Sequence, residues 1–191
     1  KSNKAYQGTF DGDGYTIDGL YINNAKTYQG LFGYTTNSHI SGVTVDGEIN
    51  AKQYVAGVVA YMGAKTYVDR CVNKATVSGT STYVGGITGS VSQATAELTN
   101  SYNLGDITGT SNCGGIAGYN HKNAIIVNVF SLGTATGTKV AACIGGLKAR
   151  SGFVFKNNPD IISAVCAQTS SRNIRMISHF LRFFLNEFCS F

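Results

Sequence analysis

The sequence predicts an all-β chain, a right-handed parallel β-helix of about five coils followed by a C-terminal helix or irregular tail. Three observations carry this. Apolar residues recur in columns at Ile17, Ile40, Val68, Leu98 and Ile126, and three residues later at Leu20, Val43, Cys71, Ser101 and Val129. A glycine column runs through Gly30, Gly57, Gly86, Gly115 and Gly146, each glycine followed by Leu31, Val58, Ile87, Ile116 or Leu147. Both columns advance by 23 to 31 residues per step, and a period of about 20–50 residues means one structural unit stacked on itself. Apolar residues alternate with polar ones over short stretches, which is the pattern of strands with one buried and one wet face.

Taken in order, residues 6–22 open with Gly8-Thr9-Phe10-Asp11-Gly12-Asp13-Gly14-Tyr15-Thr16-Ile17, in which Asp-Gly-Asp-Gly reads as a turn between β-prone stretches. Ile17, Gly19, Leu20 and Ile22 align with Ile40, Gly42, Val43 and Val45, which sets the start of the first unit near Tyr15. A further column, Ile49, Val77, Ile107 and Ala135, sits among polar neighbours. Each unit is too long for one strand and suits two or three short strands joined by turns. Equivalent strands then stack at about 4.8 Å, and stacking completes a core that one coil cannot bury alone. The glycines are expected at sharp corners that need φ > 0, where a residue without Cβ has no steric cost.

The repeat domain is expected over 1–150 and a tail over 151–191. Twenty-three of the 24 glycines and all 11 tyrosines precede residue 150. Ile174, Ile177, Leu181, Phe184 and Phe188 fall at helical spacing, predicting an amphipathic helix over 172–191. Three readings stay open for it: a cap on the last coil, a tail foreign to the natural protein, or a basic helix lying on a membrane or partner.

Charged residues are 13% of the chain and net charge is +5. The basic residues are scattered and do not interleave with aromatics, so no nucleic-acid partner is expected. No run of 18 apolar residues exists, so no transmembrane helix is expected. The chain opens at Lys1 and is read as a fragment or mature segment. Five cysteines include no C-x-x-C pair, which argues against a zinc site. Cys71 reads as a buried thiol in an apolar column. Cys113 and Cys143 precede glycine pairs in successive units, which leaves a disulfide between them as one option.

No catalytic residues are expected, no cofactor, and no metal beyond a weak calcium candidate at Asp11 and Asp13. Counted from Asp11, the positions that an EF-hand reserves for Gly and Glu hold Thr16 and Ile22. The acids before residue 150 do not share a column, although Asp46 and Glu48 could share a strand face. His39, His121 and His179 are isolated. The candidate ligand-binding residues are tyrosines. Tyr54 and Tyr83 lie three residues before the repeat glycine and Tyr28 two before; Tyr34, Tyr61 and Tyr119 lie four after. A stack of such rings could hold sugars by apolar contact and hydroxyl hydrogen bonds; equally, it could pack half-buried at coil corners. Thr108 and Thr136, beside Ser78, could form a flat ladder; such ladders also serve ice binding, but this one is short and irregular.

Gly-Leu-Phe-Gly (30–33), Gly-Gly-Ile-Thr-Gly (85–89) and Gly-Gly-Ile-Ala-Gly (114–118) alternate with Val-Asn-Lys-Ala-Thr-Val-Ser-Gly (72–79) and Tyr-Asn-Leu-Gly-Asp-Ile-Thr-Gly (102–109). Over residues 6–147 this pattern resembles the GLUG repeats of bacterial surface proteins. The resemblance implies a secreted or wall-attached protein whose repeats accompany adhesive or peptidase modules, with no catalytic residues in the repeats. The expected function is a non-enzymatic extracellular module, adhesin or spacer, its partners a glycan or host-surface ligand and the adjacent repeats or domains of a parent protein. A polysaccharide hydrolase or lyase on the same scaffold is the alternative.

Overall fold

A computed structural model gives the structure over residues 4–138 and 141–142. The tail, its expected helix, Gly146 and Cys143 lie outside the described residues.

The chain is a parallel β-solenoid of about five turns, with no α-helix among the described residues. The first coil holds β1 (Tyr6–Asp11), β2 (Thr16–Asn23) and β3 (Thr27–Gln29). The second holds β4 (Phe32–Ser41), β5 (Thr44–Ala51) and β6 (Gln53–Ala56). The third is β7 (Val59–Met62), β8 (Thr66–Asp69), β9 (Val72–Asn73) and β10 (Thr76–Gly85). The fourth is β11 (Thr88–Val91), β12 (Glu97–Thr99), β13 (Tyr102–Asn103) and β14 (Ile107–Gly114). The fifth is β15 (Ala117–Asn120), β16 (Ile125–Val127), β17 (Phe130–Ser131), β18 (Ala135–Gly137) and β19 (Ala141–Ala142). Every strand pairing among the described residues is parallel and joins one coil to the next.

The core is a set of vertical columns. Ile40, Val68, Leu98 and Ile126 stand in register and are buried. Ile49, Val77 and Ile107 do likewise, with Ala135 partly buried above them. Burying one such aliphatic side chain contributes about 1.5–3 kcal/mol, and each coil buries the inner face of its neighbour.

The first coil departs from the expected register. Phe10, not Ile17, pairs with Ile40. Ile17 pairs with Val45, Leu20 with Gly47 and Ile22 with Ile49. The unit therefore begins at Tyr6, before the expected Tyr15. The short pattern Ile-x-Gly-Leu-x-Ile resembles Ile-x-Gly-Val-x-Val one side of the coil away, and that likeness misaligns the first turn. Register shifts between Tyr6 and Gly8 and between Ile17 and Leu20 mark bulges in both long strands of this coil. Such bulges bend an edge strand away from further pairing.

The repeat glycines hold their column but for a different reason than expected. Gly57 N–H donates to Gly86 O at 2.9 Å, and Gly86 N–H to Gly115 O at 3.2 Å. Gly30, Gly57 and Gly86 do not have positive φ. They are glycine because the interior is crowded. A Cβ at Gly57 would collide with the Asn73 carboxamide, and one at Gly86 with Asn103 and Gly115 O. Those amides form a buried ladder: Asn73 Nδ2 donates to Asn103 Oδ1 at 2.7 Å, and Asn103 Nδ2 to Ser131 Oγ at 3.1 Å.

Positive φ falls on other residues. One corner carries Gly42, Arg70, Asn100 and Asn128 (φ 61°, 51°, 46°, 53°) and another carries Tyr28, Tyr54, Tyr83 and Asn112 (φ 61°, 52°, 65°, 52°).

Candidate tyrosine face

The repeat brings the six tyrosines singled out by spacing into one cluster. Tyr28, Tyr54 and Tyr83 come from β3, β6 and β10, and form one ladder. Tyr28 and Tyr54 stack at 4.8 Å between centroids with 10° between planes; Tyr54 and Tyr83 stack at 4.9 Å with 24°. Tyr34 and Tyr61, from β4 and β7, form a second ladder at 4.7 Å and 12°. The ladders meet edge to face: Tyr28 with Tyr34 at 6.0 Å, Tyr28 with Tyr61 at 5.7 Å and Tyr54 with Tyr61 at 5.4 Å. Tyr119, on β15, closes the cluster against Tyr83 at 5.6 Å.

Two local features place these rings. The ring spacing follows the strand spacing of about 4.8 Å, so identical residues on successive rungs stack by default. The second glycine of three of the repeat motifs gives the corner room, Ala60 standing at that place in the other: a Cβ at Gly33 would lie 2.8 Å from Tyr28 O, one at Gly89 2.9 Å from Tyr83 O and one at Gly118 2.7 Å from Tyr83 Cα. In Gly86-Ile87-Thr88-Gly89 the motif thus encodes two close approaches, the first glycine to the amide ladder and the second to the tyrosine corner.

Both ladders are interrupted in the fourth coil. Ser90 occupies the rung between Tyr61 and Tyr119, and Asn112 the rung after Tyr83. Beside the first ladder runs a polar one, Thr27, Gln53, Thr82 and Ser111, in which Gln53 Nε2 donates to Thr82 Oγ1 at 2.7 Å. Burial, then the neighbouring phenols, raises the pKa of Tyr34 and Tyr54. Their hydroxyls stay protonated at neutral pH and can donate.

Stacking limits what the cluster can do. Tyr54 has a ring on both faces, so a sugar ring cannot lie flat on it. The ladder offers ring edges, hydroxyls and neighbouring amides to a ligand. Tyr28 differs: it is stacked on Tyr54 alone among the described residues, and of the six rings it is the exposed one, at 37%.

The other candidates are dispersed. Asp11 Oδ1 accepts from Asp13 N at 3.1 Å and Ser41 Oγ at 3.3 Å. Asp11, Asp13, Gly14, Gly42 and Arg70 line one shallow hollow, and the Arg70 guanidinium there opposes a cation. No group of three or more His, Cys, Asp or Glu is placed to hold a metal among the described residues. Asp46 Oδ1 accepts from Gly47 N, and Glu48 Oε1 from Asn50 Nδ2. Ser78, Thr108 and Thr136 stand in register, above Asn23 and Asn50. Cys71 and Cys113 are free thiols, pushed up to about 11 mainly by burial. Cys143, the other half of the disulfide option, lies outside the described residues. Sequence reasoning missed the amide ladder, although the Asn73–Asn103–Ser131 column was visible at the repeat spacing.

No family model matches the chain, and no curated protein matches it. The resemblance to GLUG repeats therefore rests on the motif residues alone. Among solved structures, a candidate immunoglobulin A1 protease from Bacteroides ovatus is similar at a TM-score of 0.49 and 18% identity, over 69% of this chain and 59% of that one. This chain thus spans less than two thirds of that structure's length.

Proposed function

We propose that the chain is a non-enzymatic extracellular module of a bacterial cell-surface protein, an adhesin or spacer that binds glycans through its tyrosine face. The observation behind this reading is the collection of six tyrosines on one face, next to an uncharged ladder of Thr, Gln and Ser. Aromatic edges beside hydroxyls and amides suit the mixed apolar and polar surface of a carbohydrate. Three tyrosines in a row also hold a left-handed backbone that costs a bulky residue roughly 1–2 kcal/mol each, and strain of this kind concentrates at functional positions. The motif resemblance to GLUG repeats supports the extracellular, wall-associated setting.

The test is a glycan array probed with the wild-type chain and the Tyr54→Ala and Tyr83→Ala variants. Binding by the wild type, weakened in both variants, is expected; binding unchanged in both rejects the tyrosine face. Incubation with the bound polysaccharide should release no new reducing ends. Their release would favour the hydrolase or lyase alternative.

A further inference from the structure

At the first-coil end of the tyrosine ladder lies a pair of lysines that the proposed function does not use. Lys26 and Lys52 occupy adjacent rungs, joined by a bond from Lys52 N–H to Lys26 O at 3.0 Å. Each precedes a ladder tyrosine by two residues, as Lys26-Thr27-Tyr28 and Lys52-Gln53-Tyr54. Both side chains are exposed. The single ion pair among the described residues is Arg70–Asp69, so neither ammonium is paired with a carboxylate of those residues. The pattern stops there: the next rung is Ser81-Thr82-Tyr83, with Ser81 N–H bonded to Lys52 O at 2.8 Å.

Like charges on neighbouring rungs repel, and cross-strand pairing of this kind is destabilising. An anion placed between them removes the repulsion and gains two charge-assisted hydrogen bonds. Tyr28, the one exposed ring of the six, stands on the same rung as Lys26. Two exposed lysines on adjacent rungs and an exposed aromatic ring two residues from one of them therefore lie at the first-coil end of the ladder.

We propose that this end binds a carboxylate-bearing sugar, a uronate or a sialate. Its carboxylate sits between Lys26 and Lys52, and its ring lies on the side of Tyr28 away from Tyr54. The proposal rests on the glycan reading above and narrows it to acidic glycans held at the ladder's end.

The experiment uses the full chain on an array of uronate- and sialate-terminated glycans, each printed beside its methyl ester, with titration calorimetry on the strongest binder. The acid should bind roughly tenfold more tightly than its ester, a preference that two exposed charge contacts can supply, and the preference should shrink as salt rises from 50 to 300 mM, concentrations over which screening is roughly doubled or more. Lys26→Gln with Lys52→Gln should abolish the preference while leaving the ester's affinity unchanged. Lys26→Arg with Lys52→Arg should keep it. Tyr28→Ala should weaken acid and ester alike. Equal binding of acid and ester, or a double Gln variant that still prefers the acid, would overturn the acidic-sugar proposal. If that binding were nonetheless lost in Tyr54→Ala, the glycan face would stand without it. No binding to any glycan would overturn both.

Discussion

Two corners of this solenoid turn the chain through the same left-handed backbone with different residues. One uses Gly42, Arg70, Asn100 and Asn128, and the other uses Tyr28, Tyr54 and Tyr83 before ending in Asn112. Asparagine enters this conformation at low cost because its short amide bonds locally. The asparagine corner also forms its own hydrogen-bond column: Asn128 Nδ2 donates to Asn100 Oδ1 at 3.0 Å, and Asn100 Nδ2 to Asp69 Oδ1 at 2.7 Å. A tyrosine gains none of this from its backbone. The return to asparagine at residue 112 shows that the second corner does not need an aromatic residue in order to turn. Ring stacking across rungs offsets the backbone cost, at about 0.5–1.5 kcal/mol per pair.

The largest effect that tests this contrast is expected from Tyr54→Ala. It removes two stacks and one edge-to-face contact and keeps the left-handed strain, so a loss of about 2–3 kcal/mol is expected in chemical denaturation. Tyr54→Asn should recover about 1 kcal/mol of that loss by fitting the backbone. Equal loss in both variants would mean that the corner carries no strain.

A smaller effect is expected from acid at the asparagine corner. Burial raises the Asp69 pKa, but hydrogen bonds from Thr99 and Asn100 and the Arg70 charge outweigh it, and the net shift is downward. A lowered folded-state pKa contributes stability that is present above the ordinary carboxylate value and is lost as pH falls through the folded value. Melting temperature should therefore fall between about pH 5 and 3, by less in Asp69→Asn than in the wild type. An identical pH profile for the two proteins would remove Asp69 from the account.

The smallest effect is expected from Arg70→Asn. It deletes an ion pair at 3.0 Å whose arginine is 66% exposed, an interaction worth about 0–1 kcal/mol. Asparagine suits φ 51° better, so the stability change should lie within about 0.5 kcal/mol. A loss above about 2 kcal/mol would show that the arginine supports this corner by more than its ion pair.

Periodicity made the inner coils legible. Ile40, Val68, Leu98 and Ile126 could be matched because identical environments recur at each rung, and the six tyrosines were found by counting from the repeat glycine. The first coil was not legible. Its bulges shift the spacing, and Ile-x-Gly-Leu-x-Ile fits two sides of the coil equally well as text. The cause of the glycine column was also hidden, because a tight interior and a left-handed turn select the same residue. Asn73 and Asn103, the side chains that decide between them, lie on another strand. Lys26 and Lys52 went unnoticed because scattered charges acquire meaning only when the register sets them on adjacent rungs.

The amide ladder ends abruptly. Val45 stands where another Asn would continue it, and the buried Asn73 Oδ1 has no hydrogen-bond partner. The second and third coils therefore meet at a chemical seam, with hydrocarbon below and carboxamide above. Such a seam gives the stack a polarity: exchanging those two coils in the gene would put valine between amides and take from Asn103 Oδ1 its bond from Asn73 Nδ2, leaving it only the one from Gly105 N. The order of repeats in this protein is thus written in its interior, where neither surface selection nor ligand choice can rearrange it freely.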